Sequence, residues 1–220
     1  MPIANMTIGG IPTDGLGRVV NGGWDSTVKG LFAAGDAACS GLHGAALNSG
    51  DHLLGAIASG KSAGGAAATQ ASSSKFSGSS EISIALSEAH HMHDSMLSST
   101  GSEGVSAGTI QSSLATTMQT HMGMSRSASG LAKAAASIQQ LQETAVALSD
   151  SSPVINTELV NLLRTQSLLT VASAAVSAAY AREESRGNHV RSDFPTTDTE
   201  PPSHSLTSMD GTVTSLPLRS

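Results

Sequence analysis

Six apolar positions, Leu131, Ala134, Ile138, Leu141, Ala145 and Leu148, recur at alternating spacings of three and four. An α-helix turns once every 3.6 residues, so this spacing lines all six on one stripe, whereas a strand would scatter them over both faces. A chain carrying such a stripe must bury it against other helices. Helices are expected near 110–122, 127–149 and 157–185. Ser151-Ser-Pro153 breaks the second of these. Asn156 ahead of Thr157-Glu158 supplies the third with an N-cap and an acidic first turn, and Gly187 offers it a left-handed stop.

The pattern differs on either side of this helical stretch. Residues 1–70 are Gly-rich with short apolar runs, and Gly30-Leu-Phe-Ala-Ala-Gly35 reads as a buried strand ending in a tight turn. Residues 71–106 are Ser-rich and poor in large apolar side chains, the composition of a flexible linker or disordered insertion. The expected architecture is α+β: a sheet-containing region over 1–70, a linker over 71–106, a small antiparallel helical bundle over 107–186 and an irregular tail over 187–220.

Aromatic residues make up only 2% of the chain and charged residues 13%, with Ala, Ser and Gly filling much of the remainder. At roughly 25 cal/mol per Å² of buried apolar surface, small side chains yield a core that is marginal alone and favours a partner. A net charge of −6 provides no basic field for a phosphate backbone, which sets nucleic acid aside as a ligand. The single cysteine, Cys39, cannot form an internal disulfide or an iron-sulfur site, so a reducing compartment and a small buried side chain are expected. No run of about 18 apolar residues and no signal-peptide pattern is present, so membrane attachment is expected through another subunit.

Two local motifs suggest chemistry and then lose it to context. Gly55-Ala-Ile-Ala-Ser-Gly-Lys-Ser62 fits the phosphate-loop pattern letter for letter. That loop needs a buried strand before it and a sturdy helix after it. Here Asn48-Ser-Gly-Asp-His52 precedes it and Gly64-Gly65 follows, so a helix over Leu53–Ala68 is the preferred reading. His90, His91, His93 and Asp94 form the densest ligand-like cluster, and on a helix His90, His93 and Asp94 share a face. Lying in the Ser-rich stretch without rigid support, they read as a solvated cluster. Met118, Met122 and Met124 read as adaptable core filler.

Three separated segments carry more information in combination. They are Met6-Thr-Ile-Gly-Gly-Ile-Pro-Thr-Asp14, Gly35-Asp-Ala-Ala-Cys-Ser-Gly-Leu-His43-Gly-Ala45 and Glu184-Ser-Arg-Gly-Asn-His-Val-Arg-Ser-Asp-Phe-Pro195. Thr117-Met-Gln-Thr-His-Met-Gly-Met-Ser-Arg126 and Asn156-Thr-Glu-Leu159 support them. In this order they resemble the C-terminal portion of the flavoprotein subunit of succinate dehydrogenase and fumarate reductase, a family to which L-aspartate oxidase is related. The resemblance implies that residues 1–70 are the C-terminal remnant of an FAD-binding α/β domain, braced by the helical bundle.

By the same resemblance, FAD is the cofactor, Asp36 contacts the flavin, and His52 and Leu53 stand at its edge. Backbone amides at Leu53 can serve a flavin whatever the side chain. The family's substrate-binding His and Arg positions are occupied here by Asn5 and Leu47, and its Ser position by His52. Leucine offers no charge or donor to a dicarboxylate, whose recognition rests on charge-assisted hydrogen bonds. Arg186, His189, Arg191 and Asp193 are expected to form a polar network packed toward the flavin domain, with Arg182, Glu183 and Glu184 as surface charges.

The parent reaction interconverts succinate and fumarate and passes electrons to an iron-sulfur subunit. Membrane-anchor subunits and an N-terminal flavin-domain half complete the implied partners, because the family's dinucleotide fingerprint lies upstream of Met1. The implied location is cytoplasmic, peripheral on the inner face of the cytoplasmic membrane or on the matrix side of a mitochondrion. An L-aspartate oxidase-like flavoprotein, a non-catalytic interaction fragment and a nucleotide binder are the alternatives; the replacements at Asn5, Leu47 and His52 favour the fragment.

Overall fold

The computed structural model describes residues 8–22, 25–46, 50–75, 78–98, 103–196 and 201–218. Among them the chain forms two compact units. One holds residues 78–180 with 208–212, and the other holds 8–75, 181–207 and 213–218. Small strands and long helices make the architecture α+β.

The first unit is helical. It contains α2 (Ser79–Leu97), α3 (Ala107–His121), α4 (Ala128–Glu143) and nearly all of α5 (Thr157–Ala181). Three of these helices start with a side-chain cap. Ser106 Oγ accepts the Thr109 N–H, Ser127 Oγ accepts the Gly130 N–H, and Asn156 Oδ1 accepts the Leu159 N–H at 2.8 Å. The first half of the stripe predicted from spacing is the core of this unit, whereas Leu141 is half-buried and Ala145 is exposed. Leu131, Ala134 and Ile138 on α4 are fully buried, and Ala134 and Ile138 pack with Ile110 and Leu114 of α3 and Leu169, Ala172 and Val176 of α5.

The helix of the stripe stops at Glu143, earlier than its spacing suggests. Residues 144–148 leave the helix, Val146 bridges Val105 in parallel, and Leu148 enters a second cluster with Leu159 and Leu162. Met118 and Met122 fill space against the main core, whereas Met124 is exposed. The expected linker also needs correction, because 71–106 contains the end of α1 and the whole of α2. Its Ser and Ala residues are compatible with a helix, yet none of the residues of α2 is buried, so the composition signalled the lack of a core face and not the lack of a helix.

α5 is apolar around much of its circumference. Its 25 residues reach a mean hydropathy of 1.2 over an 18-residue window, which meets the length and composition of a membrane-crossing helix. The continuous-run criterion missed this because Ala, Ser and Thr dilute the leucines. Seven residues from Leu159 to Ala179 are buried, and those from Leu169 to Val176 sit in the bundle core.

The second unit is built from short strands around α1 (Asp51–Ser73). β1 (Ile11–Pro12) pairs in parallel with β4 (Ala38–Cys39), and β2 (Arg18–Val20) pairs antiparallel with β3 (Thr27–Phe32) across a register shift. The run Gly30–Gly35 is strand and then turn as expected, with Gly35 at φ 64°, but only Ala33 in it is buried, and Leu31 is 50% exposed. A two-stranded sheet that α1 covers on one side leaves its other face open.

Residues 187–220 are likewise more regular than expected. β5 (Ser203–Thr207) and β6 (Val213–Pro217) form a five-residue antiparallel hairpin closed by the 208–212 turn. Alternation over only five residues of mostly small side chains is a weak signal against the surrounding Pro and Ser.

Candidate functional site

The sequence builds a cleft in the second unit by placing glycine-rich turns against the first half of α1. β1 and β4 carry Gly9 and the 3-10 turn Gly35–Ala37 to one wall, and the loop Gly41–Ala46 forms another. α1 closes the cleft with His52, Gly55, Ala56 and Ser59. Ser59 ties the walls together: its Oγ accepts the Gly35 N–H at 3.0 Å and donates to the Gly55 carbonyl at 2.6 Å. Ser62 does the same one turn later, donating to the Gly15 carbonyl at 2.9 Å.

These two serines lie within or close to the phosphate-loop-like octapeptide, and the structure shows why it is no nucleotide loop. All eight residues are inside α1, so their N–H groups are spent on helix hydrogen bonds and cannot cradle phosphates. The motif's small residues instead allow helix and loop to approach closely.

The cleft measures about 510 Å³, inside the range of roughly 300–1,000 Å³ typical of small-molecule sites. Asp36, exposed in the 3-10 turn, and His52, exposed in the first turn of α1, both line it. Leu53 is next to His52 but 61% exposed and outside the lining. Asn5 and Leu47 lie outside the described residues. Cys39 is half-buried on β4 and also borders the cleft. Gly9 and Gly44 line the cleft too, and an added Cβ on either would meet nothing within 4 Å, so backbone borders open space there.

At the cleft's edge, burial pulls the Asp14 carboxyl upward, but hydrogen bonds from the Arg18 side chain and from the Arg18 and Leu16 N–H groups outweigh it and hold the group below its ordinary 3.8. Asp14 therefore stays ionised, with its charge balanced by Arg18 at 2.7 Å.

The tail segment Glu184–Pro195 packs against the loop 41–46 within the same unit. The Asn188 N–H donates to the Ala45 carbonyl at 2.8 Å, and Gly187 stands so close that an added Cβ would lie 2.5 Å from that oxygen. Gly187 is in the left-handed region, φ 56°, but it does not end α5, which stops at Ala181; it makes the turn between Arg186 and His189.

The expected polar network is present and larger than expected. Arg191, 1% exposed, grips both oxygens of Asp193 at 2.8 Å and donates from Nη1 to the Arg182 carbonyl at 3.0 Å. Its guanidinium also stacks 5.0 Å from the Phe194 ring centre. His189 Nε2 lies 3.1 Å from the same carbonyl, which makes it a donor in the neutral ring. Arg182 and Glu184 belong to the network too: Glu184 pairs with Arg182 and with Arg186. They are not surface charges, because Arg182 reaches across to β5, donating to the Ser203 carbonyl at 2.9 Å and Ser205 Oγ at 3.0 Å. Glu183 is exposed.

The histidine cluster is elsewhere, on α2. His93 Nδ1 is 3.2 Å from Asp94 Oδ1, and His90 and His91 are exposed. Among the described residues no group of three or more His, Cys, Asp or Glu side chains is placed to hold a metal ion.

This fold has counterparts among flavoproteins. Residues 111–217 match the family model for the fumarate reductase flavoprotein C-terminus, and residues 1–53 match that of an FAD binding domain. The chain belongs to the succinate dehydrogenase and fumarate reductase flavoprotein subunit family, in its C-terminal portion.

The fumarate reductase flavoprotein subunit of Mycobacterium tuberculosis is 35% identical over 205 residues, a match covering 90% of this chain and 34% of that protein. The succinate dehydrogenase flavoprotein subunit of Rickettsia bellii is 32% identical over 217 residues, covering 96% and 36%. A solved structure of E. coli quinol fumarate reductase FrdA superposes with a TM-score of 0.82 at 27% identity, covering 96% of this chain and 36% of that one. The chain thus spans about a third of the length of these relatives.

Proposed function

We propose that this chain forms the C-terminal part of an FAD-dependent flavoprotein that interconverts succinate and fumarate, with the cleft of the second unit facing the isoalloxazine ring. The observation that carries the reading is the cleft itself, which brings Asp36, the Gly41–Ala46 loop and His52 to one opening with backbone exposed at Gly9 and Gly44. When bound, FAD supplies a two-electron acceptor for a hydride from a dicarboxylate carbon. The chain's own contribution is to shape the ring's surroundings. Asp36 and His52 offer polar groups, and the first turn of α1 offers backbone amides beside Leu53.

Under this reading Asn5 and Leu47 stand at dicarboxylate-binding positions, and Leu47 cannot hold a carboxylate. Substrate recognition then falls to an N-terminal flavin-domain half, which also supplies the pyrophosphate site. An iron-sulfur subunit and membrane-anchor subunits complete the complex, with this polypeptide peripheral on the cytoplasmic or matrix face. The relatives named above are fumarate reductase and succinate dehydrogenase subunits, which favours this reading over an L-aspartate oxidase-like one.

The substituted positions support a second reading, a non-catalytic piece that binds partners only. Titration of the purified chain with FAD, alone and mixed with the N-terminal half of a relative, separates the two. Flavin retention and succinate-dependent dye reduction in the mixture are expected; absence of any flavin signal in the mixture rejects the enzymatic reading.

A further inference from the structure

The hairpin strand β5 lies against the cleft loop in a specific way. Gly41, at φ 76°, faces the His204 ring so closely that an added Cβ would sit 2.9 Å from its Cε1 and 3.2 Å from its Nε2. His204 is in turn flanked by Ser203 and Ser205, both held by the same Arg182 guanidinium. Two residues further along the strand, Leu206 Cδ2 would lie 3.1 Å from a Cβ on Gly22. The loop's other side is closed by α1, where His43 Nε2 would lie 3.0 Å from a Cβ on Gly55. Gly41–Ala46 is therefore fixed on one side by His204 against Gly41 and on the other by its own His43 against Gly55, with Asn188 bonded to its far end at Ala45.

We propose that His204 is a positioning residue for the cleft: β5 straps the Gly41–Ala46 wall in place through the Cε1–Nε2 edge of this imidazole, with Arg182 as the strap's anchor. The part that concerns flavin rests on the function proposed above. The loop itself has little to stiffen it. Its internal hydrogen bonds, Gly44 N–H to Gly41 O and Ala46 N–H to His43 O, are both long at 3.3 Å, and four of its six residues are glycine or alanine. A segment of that kind opens locally unless something outside it removes the freedom. His204 places a rigid ring at that contact, and the bulk of the ring is what fills the space beside Gly41.

The test is amide hydrogen exchange on the full 220-residue chain, comparing the parent with His204→Ala and His204→Phe. Amides of 41–46 are expected to exchange roughly tenfold faster in His204→Ala. They should return close to the parent rate in His204→Phe, which keeps a flat ring, while peptides around Ile138 stay unchanged in all three. Unchanged exchange of 41–46 in His204→Ala overturns the proposal, as does equal acceleration in both variants.

Should His204→Ala not fold, the parent decides. A nuclear Overhauser contact between His204 Hε1 and the Gly41 α-protons supports the strap, and its absence overturns it. Repeating the exchange with FAD and the supplied N-terminal half isolates the flavin reading. No added protection of 35–44 in the parent rejects that reading while the effect of His204 on the loop stands or falls by the first comparison.

Discussion

The main-chain N–H of Asn188 donates to the carbonyl of Ala45 at 2.8 Å across 143 positions of sequence. That bond joins the tail motif to the loop carrying Gly41 and His43. Each of these two stretches is therefore part of the other's packing surface.

Gly187→Ala tests this join. The new methyl would meet the Ala45 carbonyl at 2.5 Å in a left-handed conformation. Strain of this kind costs about 1–3 kcal/mol. Urea unfolding should show that loss, with faster exchange at the Asn188 amide; an unchanged midpoint would mean the contact is not made.

Arg191→Lys keeps the charge but removes the fork that grips both Asp193 oxygens and reaches the Arg182 carbonyl. A lysine ammonium satisfies one partner and leaves other buried acceptors unmet. Disrupting a buried pair costs about 3–5 kcal/mol when one partner is lost, and Lys should fall at or below the lower end. Thermal melting of the two proteins side by side measures it.

Asn156→Ala removes three hydrogen bonds at once, the cap to the Leu159 N–H and the two from Nδ2 to the carbonyls of Asp150 and Ser152. A lost cap alone costs about 0.5–2 kcal/mol. The expected loss is at the top of that range, and Asn156→Asp should recover only the cap. Circular dichroism during urea unfolding distinguishes these.

Burial pushes the His204 imidazole below its ordinary 6.5, and the neighbouring Arg182 charge pushes it further the same way. The unfolded chain therefore takes up this proton at a higher pH than the folded one. The neutral ring's contribution to stability is fully present above pH 6.5 and is lost as pH falls from there toward the folded value. His204→Phe should flatten the stability profile in that window. Equal slopes for parent and variant between pH 7 and 5 would contradict the assignment.

Lys61→Ala should change stability by less than about 0.5 kcal/mol, since Lys61 is an exposed residue of α1. Neither protein should bind ATP, because the octapeptide's amides are engaged within the helix. Calorimetric titration with ATP and magnesium checks this, and measurable affinity lost in the variant would revive the nucleotide reading.

Local physics made part of this protein legible from sequence. The three-and-four spacing around Leu131 and Ile138 specified a buried helix face, and Asn156 announced its helix because a capping side chain acts within three residues. The linker was misread at α2 because a helix with no buried face leaves no periodic trace to detect. Cofactor class came from ordered motifs and not from any single spacing.

What only the tertiary structure decided is which distant residues share a surface. Arg182 and Glu184 look like exposed charges in a linear string, yet β5 folds back over them and makes them anchors. Gly187 looks like a helix stop and proves to be a contact with Ala45. His204, in an unremarked tail, lands on Gly41. Hydrogen-bond direction and close packing depend on the positions of both partners, and a linear order specifies the chemistry of each without the place where they meet.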